Sequence, residues 1–188
     1  MTRNIQIRLA TTEHIAEISA LAAVIWRAHY PGIISPAQIE HMLAKMYGLE
    51  VIQRELESGL AWFRALVDGV LCGFASVGVA ATAGEFKLHK LYVHPDWQRR
   101  GIGGALLEAV ESAVRGRGAT TLILSVNKRN DAAIAAYLKR GFNVRESVVA
   151  DIGGGFVMDD HVMAKSLSDR DGDALIDESI TLVEARMH

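Results

Sequence analysis

Apolar and polar positions alternate through residues 4–10 (NIQIRLA), the period of a half-buried strand. The period then lengthens. Ile15, Ile18, Leu21, Ala22 and Ile25 recur at helical spacing, which predicts a helix from His14 to about Tyr30, capped by Thr11 or Thr12 and stopped by Pro31-Gly32. Ser35-Pro36 supplies the cap and first turn of a second helix reaching about Tyr47, and a short helix from about Leu49 to Glu57 follows. The middle of the chain reads as strands. Leu60–Val67 and Val70–Val79 flank Asp68-Gly69, a hairpin signal, and Glu85–Val93 ends at His94-Pro95. A glycine-rich turn opens a helix from about Gly103 to Arg117, with Leu106, Leu107, Val110 and Val114 on one face. Thr121–Val126 is an almost wholly apolar strand of central type. A helix capped by Asn130 or Asp131 runs to Arg140, and Phe142–Asp151 and Val157–Ser166 are two last strands joined through Gly153-Gly154-Gly155. The order β-α-α-β-β-β-α-β-α-β-β predicts a single α/β (α+β) domain, a mixed sheet flanked by helices. Residues 168–188 differ from the rest. They carry a net charge of −4 and read as an acidic C-terminal tail beyond a domain spanning 1–167.

Composition narrows the function classes. At 188 residues, half of them hydrophobic, the chain can build one sizeable core. The net charge of −2 argues against nucleic acid as the main partner. The charge is uneven, however: Gln98 to Arg140 carries +5 and the remainder −7, which points to a small anionic ligand. Cys72 is the only cysteine, so no intrachain disulfide forms. No apolar run is long enough to span a membrane, and MTRNIQIRLA has no signal-peptide core. A cytoplasmic protein is the expectation. The histidines show no metal-ligand spacing, and no metal is expected.

The chemistry concentrates in Val93-His94-Pro95-Asp96-Trp97-Gln98-Arg99-Arg100-Gly101-Ile102-Gly103-Gly104-Ala105. A strand feeds a bare-backbone turn that opens a helix. First-turn N–H groups have no partner inside a helix and sit at the positive end of its dipole, so such a turn cradles a pyrophosphate. Arg99 and Arg100 add full charges. The Walker pattern fails, because the turn ends Gly-Gly-Ala, and the dinucleotide fingerprint fails at Leu106.

LYVHPDWQRRGIGGALL (91–107), NDAAIAAYLKRGF (130–142) and the strand order together resemble the GNAT superfamily of N-acetyltransferases over about Ile5 to Leu167. The N- and C-terminal parts resemble a bacterial subgroup near the spermidine/spermine acetyltransferase-like enzymes. The resemblance implies a mostly antiparallel sheet of about seven strands and acetyl-CoA as co-substrate. It implies that Leu91, Tyr92 and Val93 pair with the pantetheine arm through their backbones. The turn from Gln98 through Arg99, Arg100, Gly101, Ile102 and Gly103 to Gly104 would hold the pyrophosphate, with Asn130 on the pantetheine and Tyr137 near the thioester sulfur as general acid. Where many relatives carry a glutamate on the preceding strand, this chain has Lys87. By alternation Glu85 and His89 share a face there, and His89, with an ordinary pKa near 6.5, is the candidate base beside water relays. Trp26, His29 and Tyr30 are candidate acceptor-pocket residues. Asp159 or Asp160 would hold an ammonium group, with Asp159 as the first choice.

Three functions stay open at this point. The first is acetylation of a small primary amine, polyamine-like or other. The second is acetylation of protein lysines or N-termini. The third is a non-catalytic acyl-CoA-binding regulator. A homodimer is a family expectation.

Overall fold

The computed structural model describes residues 4–167; the expected acidic tail lies outside them. The elements follow the hydrophobic pattern closely. They are β1 (Ile5–Leu9), α1 (Ile15–His29), α2 (Pro36–Tyr47), α3 (Leu49–Glu57), β2 (Ala61–Val67), β3 (Val70–Val79), β4 (Glu85–Val93), α4 (Ile102–Arg115), β5 (Thr121–Asn127), α5 (Asp131–Lys139), β6 (Asn143–Gly153) and β7 (Phe156–Ser166). A short 3-10 turn, Thr12–His14, precedes α1 and moves the helix start one residue past the expected position. Ser35 caps α2, its hydroxyl accepting from Gln38 N at 3.1 Å, and Pro36 sits in the first turn where its missing N–H costs nothing. Asn130 caps α5 through Oδ1, which accepts from Ala133 N at 3.3 Å.

The seven strands form one sheet in the order β1-β2-β3-β4-β5-β7-β6. Every neighbouring pair is antiparallel except β4 and β5, which are parallel and joined through α4. This is the mostly antiparallel seven-stranded sheet that the resemblance implies. Two apolar layers enclose the sheet. One packs Ile102, Leu106, Val110 and Val114 of α4 against Cys72, Leu88, Leu122 and Leu124. The other packs Ile18, Ile25 and Trp26 of α1, with Met42 and Tyr47 of α2 and Ile52 of α3, against Trp62 and Phe74. Each layer removes many apolar side chains from water, the dominant favourable term in folding.

Two irregularities position the site. The β3–β4 register shifts where Ser76 faces Lys90 and Val77 faces Leu88, leaving His89 as an extra residue in a bulge. The bulge reverses the alternation along β4. Phe86 and Leu88 pack with the α4 layer, whereas Lys90 turns to the opposite face, against Glu55 of α3. Then β4 and β5 part. They pair only from Glu85–Thr121 to Leu88–Leu124, although β4 runs on to Val93 and β5 to Asn127.

Candidate active site

The parting of β4 and β5 creates a cleft. Leu91, Tyr92 and Val93 pair with Ala75, Phe74 and Gly73 of β3 on one side, and beyond Leu88 have no β5 partner on the other. An extended ligand with amide groups fits that open edge, as an added strand would. At the end of β4, Gln98 Nε2 donates to the Val93 carbonyl at 3.2 Å and ties the turn to the strand. Gly101 enters α4 with φ of +85°, in the left-handed region where a side chain is strained, and Arg99 reaches +60°. No side chain caps α4, so its first-turn N–H groups remain for a ligand. Ile102 is buried and anchors the helix start, while Gly103 abuts Val93 and Leu91. Arg100 stacks over the Trp97 ring at 5.0 Å. A residue that the motif pattern does not single out is Arg140, whose guanidinium lies over Gly104 so closely that a Cβ there would overlap it, while its other nitrogen donates to Glu108 at 2.8 Å. The Arg140 guanidinium thus lies beside an uncapped helix start, and Arg99 and Arg100 stand in the turn that leads into it, a charge distribution that suits a pyrophosphate.

Inside the cleft lies a cavity of about 270 Å³. Tyr137 and Asn130 line it from the α5 side, Trp26 and Tyr30 from α1, and Leu91 and Tyr92 from β4. Its charged lining is Glu55, Lys87, Lys90 and Asp160, with His89 beside them. Lys90 is 2% exposed and donates to both Glu55 oxygens at 2.6 and 2.7 Å, with its ammonium 4.8 Å from the Trp62 ring centre. Burial lowers the Lys90 pKa, and Glu55 partly restores it. Aromatic rings wall the cavity: Trp26 stacks on Tyr30 at 4.2 Å, and the Tyr30 and Tyr92 hydroxyls lie 3.1 Å apart. Burial pushes both phenols well above their usual pKa.

The Tyr137 ring packs edge-on against Phe142 at 5.5 Å, and burial raises its pKa to about 12. It is therefore a protonated phenol across the physiological range. His89 does not keep the ordinary pKa that made it a candidate base. Desolvation, then Lys90, then Lys87 lower it to about 4, and the bulge breaks the alternation that placed it with Glu85. Glu85 is engaged elsewhere, accepting from Arg145 at 2.6 Å.

The acceptor-side expectations divide. Trp26 and Tyr30 line the cavity, but His29 does not; its Nε2 accepts from Asn130 Nδ2 at 3.1 Å, so it orients a lining residue. Asp159 is ion-paired with Lys128 and lines a separate outer depression of about 430 Å³ with Ser35, Gln38 and Arg129. Of the two adjacent aspartates, Asp160 is the one that lines the inner cavity. Asn127, absent from the expectations, lines both spaces and connects them. Glu55 and Lys90 were also absent, because they meet only through the bulge and a helix 35 positions earlier. Among the described residues, no three His, Cys, Asp or Glu side chains gather as a metal site requires, and no helix is long and apolar enough to cross a membrane.

Comparison with known proteins agrees with this geometry. Residues 22–142 match the Acetyltransferase (GNAT) family. The chain is 26% identical over 161 residues to a spermidine N(1)-acetyltransferase of Thermoplasma acidophilum, covering 83% of this chain and 96% of that protein. It is 41% identical over 81 residues to the ribosomal protein bS18-alanine N-acetyltransferase of Escherichia coli, covering 43% of this chain and 53% of that one. Among solved structures, the PaiA N-acetyltransferase of Thermoplasma acidophilum in complex with coenzyme A superposes with a TM-score of 0.73 at 26% identity, covering 87% of this chain and 99% of that one. With the open β4 edge, the uncapped start of α4 and the cavity between β4 and β5 in place, the chain belongs to the GNAT family of N-acetyltransferases, enzymes that take their acetyl group from acetyl-CoA.

Proposed function

We propose that the chain acetylates the primary amine of a small molecule by direct attack within a ternary complex. The observation that carries this reading is the inner cavity where β4 and β5 part, with Tyr137 on one side and Lys87 and Asp160 among its other walls. Its volume of about 270 Å³ lies just below the ~300–1,000 Å³ of small-molecule sites, which leaves room for a small acceptor head.

In this reading the thioester is the electrophile supplied by acetyl-CoA, and the chain's own residues do the rest. Leu91, Tyr92 and Val93 align the pantetheine arm. The turn from Gln98 to Gly104, with Arg99 and Arg100, holds the pyrophosphate, and Asn130 contacts the pantetheine. An alkyl amine has a pKa of roughly 10 and must lose a proton before it attacks. Holding both reactants in one cavity supplies on the order of 7–11 kcal/mol of the barrier reduction. Tyr137 keeps its proton because burial raises its pKa to about 12, and it donates that proton to the leaving sulfur. A backbone N–H near Val93 is the oxyanion donor. Trp26 and Tyr30 form the acceptor wall. The acceptor's proton leaves through the carboxylates of the cavity or a water relay rather than through His89, whose pKa of about 4 makes it a weak base.

The similarity to the spermidine enzyme covers most of both chains and supports a small-molecule acceptor. The match to the ribosomal-protein enzyme covers less than half of this chain and lends a protein acceptor less support. A cytoplasmic enzyme acting without nucleic acid or membrane belongs to the same reading. The test is thiol release from acetyl-CoA against polyamines, amino acids, aminoglycosides and lysine peptides. Release with a small amine is the expected result. Release with peptides alone would replace the small-molecule reading, and tight acetyl-CoA binding without any release would favour a regulator.

A further inference from the structure

The inner cavity contains four charged side chains, and two of them are already matched. Lys90 and Glu55 neutralise each other through two short hydrogen bonds. The other two are Lys87 and Asp160. Both line the cavity, and they lie within electrostatic range of each other. Neither forms an ion pair within 4 Å among the described residues. Asp160 Oδ1 is buried without a hydrogen-bond partner there. A buried carboxylate oxygen left unmatched costs free energy, on the order of 1–3 kcal/mol, unless a ligand satisfies it.

The register explains how the two come to share the space. Asp160 pairs with Asn127 on β5, and directly opposed residues share a face of the sheet. Lys87 pairs with Ile123 at the last stretch where β4 and β5 still meet. The anion therefore stands on the β7 side of the cleft and the cation on the β4 side. Burial raises the Asp160 pKa and Lys87 lowers it, as a cation facing the same space would. Lys128, Asp159 and His161 also act on Asp160, but Lys128 and Asp159 are paired with each other.

We propose that the acceptor is a small zwitterionic amine, carrying a carboxylate or comparable anion next to its ammonium group, with Asp160 taking the ammonium and Lys87 the anion. This rests on the reading of the chain as a small-amine acetyltransferase and narrows its substrate class to that of α-amino acids. A polycation places a second positive charge in a cavity that already contains Lys87, and like charges in such a space repel. A neutral or cationic monoamine leaves Lys87 unmatched. Only an acceptor with both signs matches both residues. After the amine loses its proton and attacks, the product amide no longer carries a cation for Asp160, so the same pair binds substrate better than product.

The test uses matched pairs of an α-amino acid and its decarboxylated amine, from alanine and ethylamine to phenylalanine and phenethylamine, with spermidine as the polycation. Thiol release gives kcat/KM, and calorimetry on the enzyme saturated with coenzyme A gives binding apart from turnover. The expected result is a preference of about 30-fold for at least one amino acid over its twin. Lys87→Gln removes that preference while coenzyme A affinity is unchanged, Lys87→Glu shifts preference toward spermidine, and Asp160→Asn weakens both members of a pair. A wild-type preference for spermidine or for the decarboxylated amines overturns the proposal and leaves the small-amine reading standing, as does a preference that survives Lys87→Gln. Amino-acid binding that depends on Lys87 without any thiol release supports the proposal and overturns the activity. Neither binding nor release overturns both.

Discussion

The Lys90 ammonium lies 2.6 and 2.7 Å from the two oxygens of Glu55, in the wall of the cavity and over the face of Trp62. Lys90 is almost wholly buried, so the pair is not a surface ornament. Removing one partner leaves a buried charge without its match. Glu55→Gln is expected to destabilise the fold by about 3 kcal/mol. In urea unfolding this appears as a lower midpoint at an unchanged slope. Replacing both residues, as Lys90→Met with Glu55→Leu, should recover most of the loss, because two apolar groups need no partner.

Tyr137→Phe tests the proposed proton donor. Turnover at saturating acetyl-CoA is expected to fall by about 100-fold, the low end of general acid catalysis. Affinity for coenzyme A stays at the wild-type value, since the ring and its packing on Phe142 are retained. Because the phenol titrates at about 12, it stays protonated at lower pH, and the wild-type rate shows no alkaline loss from this group below about pH 11. A Phe variant with wild-type turnover removes Tyr137 from the chemistry.

His89 leaves a different signature, in stability. Its folded pKa is about 4 against 6.5 for the free side chain. Between those values the unfolded chain binds a proton that the folded chain does not, so stability falls as pH drops from 6.5 toward 4. The thermal midpoint of His89→Gln should depend less steeply on pH across this window. Its pH–rate profile between 6 and 9 should match wild type, because His89 is already neutral there. A rate limb near neutrality that disappears in the variant would restore it as a base.

Gly104→Ala separates the cradle from the fold. The added methyl meets the Arg140 guanidinium, which is the free end of a long side chain and can move aside. Alanine also favours the helix over glycine by roughly 1 kcal/mol. The thermal midpoint should therefore stay close to wild type, while the Kd of acetyl-CoA rises by about tenfold, equivalent to about 1.4 kcal/mol. Calorimetry with acetyl-CoA reads the second effect directly.

Most of the fold was legible in the sequence because the hydrophobic period and the punctuation agreed. Ser35-Pro36, Asp68-Gly69 and Asn130 sit where caps and turns were expected. The glycine turn before α4 was legible for the same reason, and Gly101 takes the left-handed backbone there that glycine allows. The charged half of the site was not. A bulge has no residue signature, and FKLHKLYV gives no sign that His89 stands outside the ladder. Simple alternation therefore puts Lys90 on the Leu88 face, when it points the other way to Glu55. The choice between Asp159 and Asp160 depends on the register of β7 against β5, and two adjacent aspartates read alike until Asn127 is opposite one of them. Arg140 reaches Gly104 only because α5 ends beside the start of α4 in space.

The short β4–β5 ladder makes the sheet two plates, β1–β4 and β5–β7–β6, joined by four residue pairs. Few rungs resist bending at that joint. A cofactor that lay along the open edge, as proposed above, would supply the rungs that β5 omits and work as a missing strand as well as a reagent. Binding should then slow amide exchange along both lips of the cleft together, and the enzyme would be stiffest at the moment both reactants are aboard.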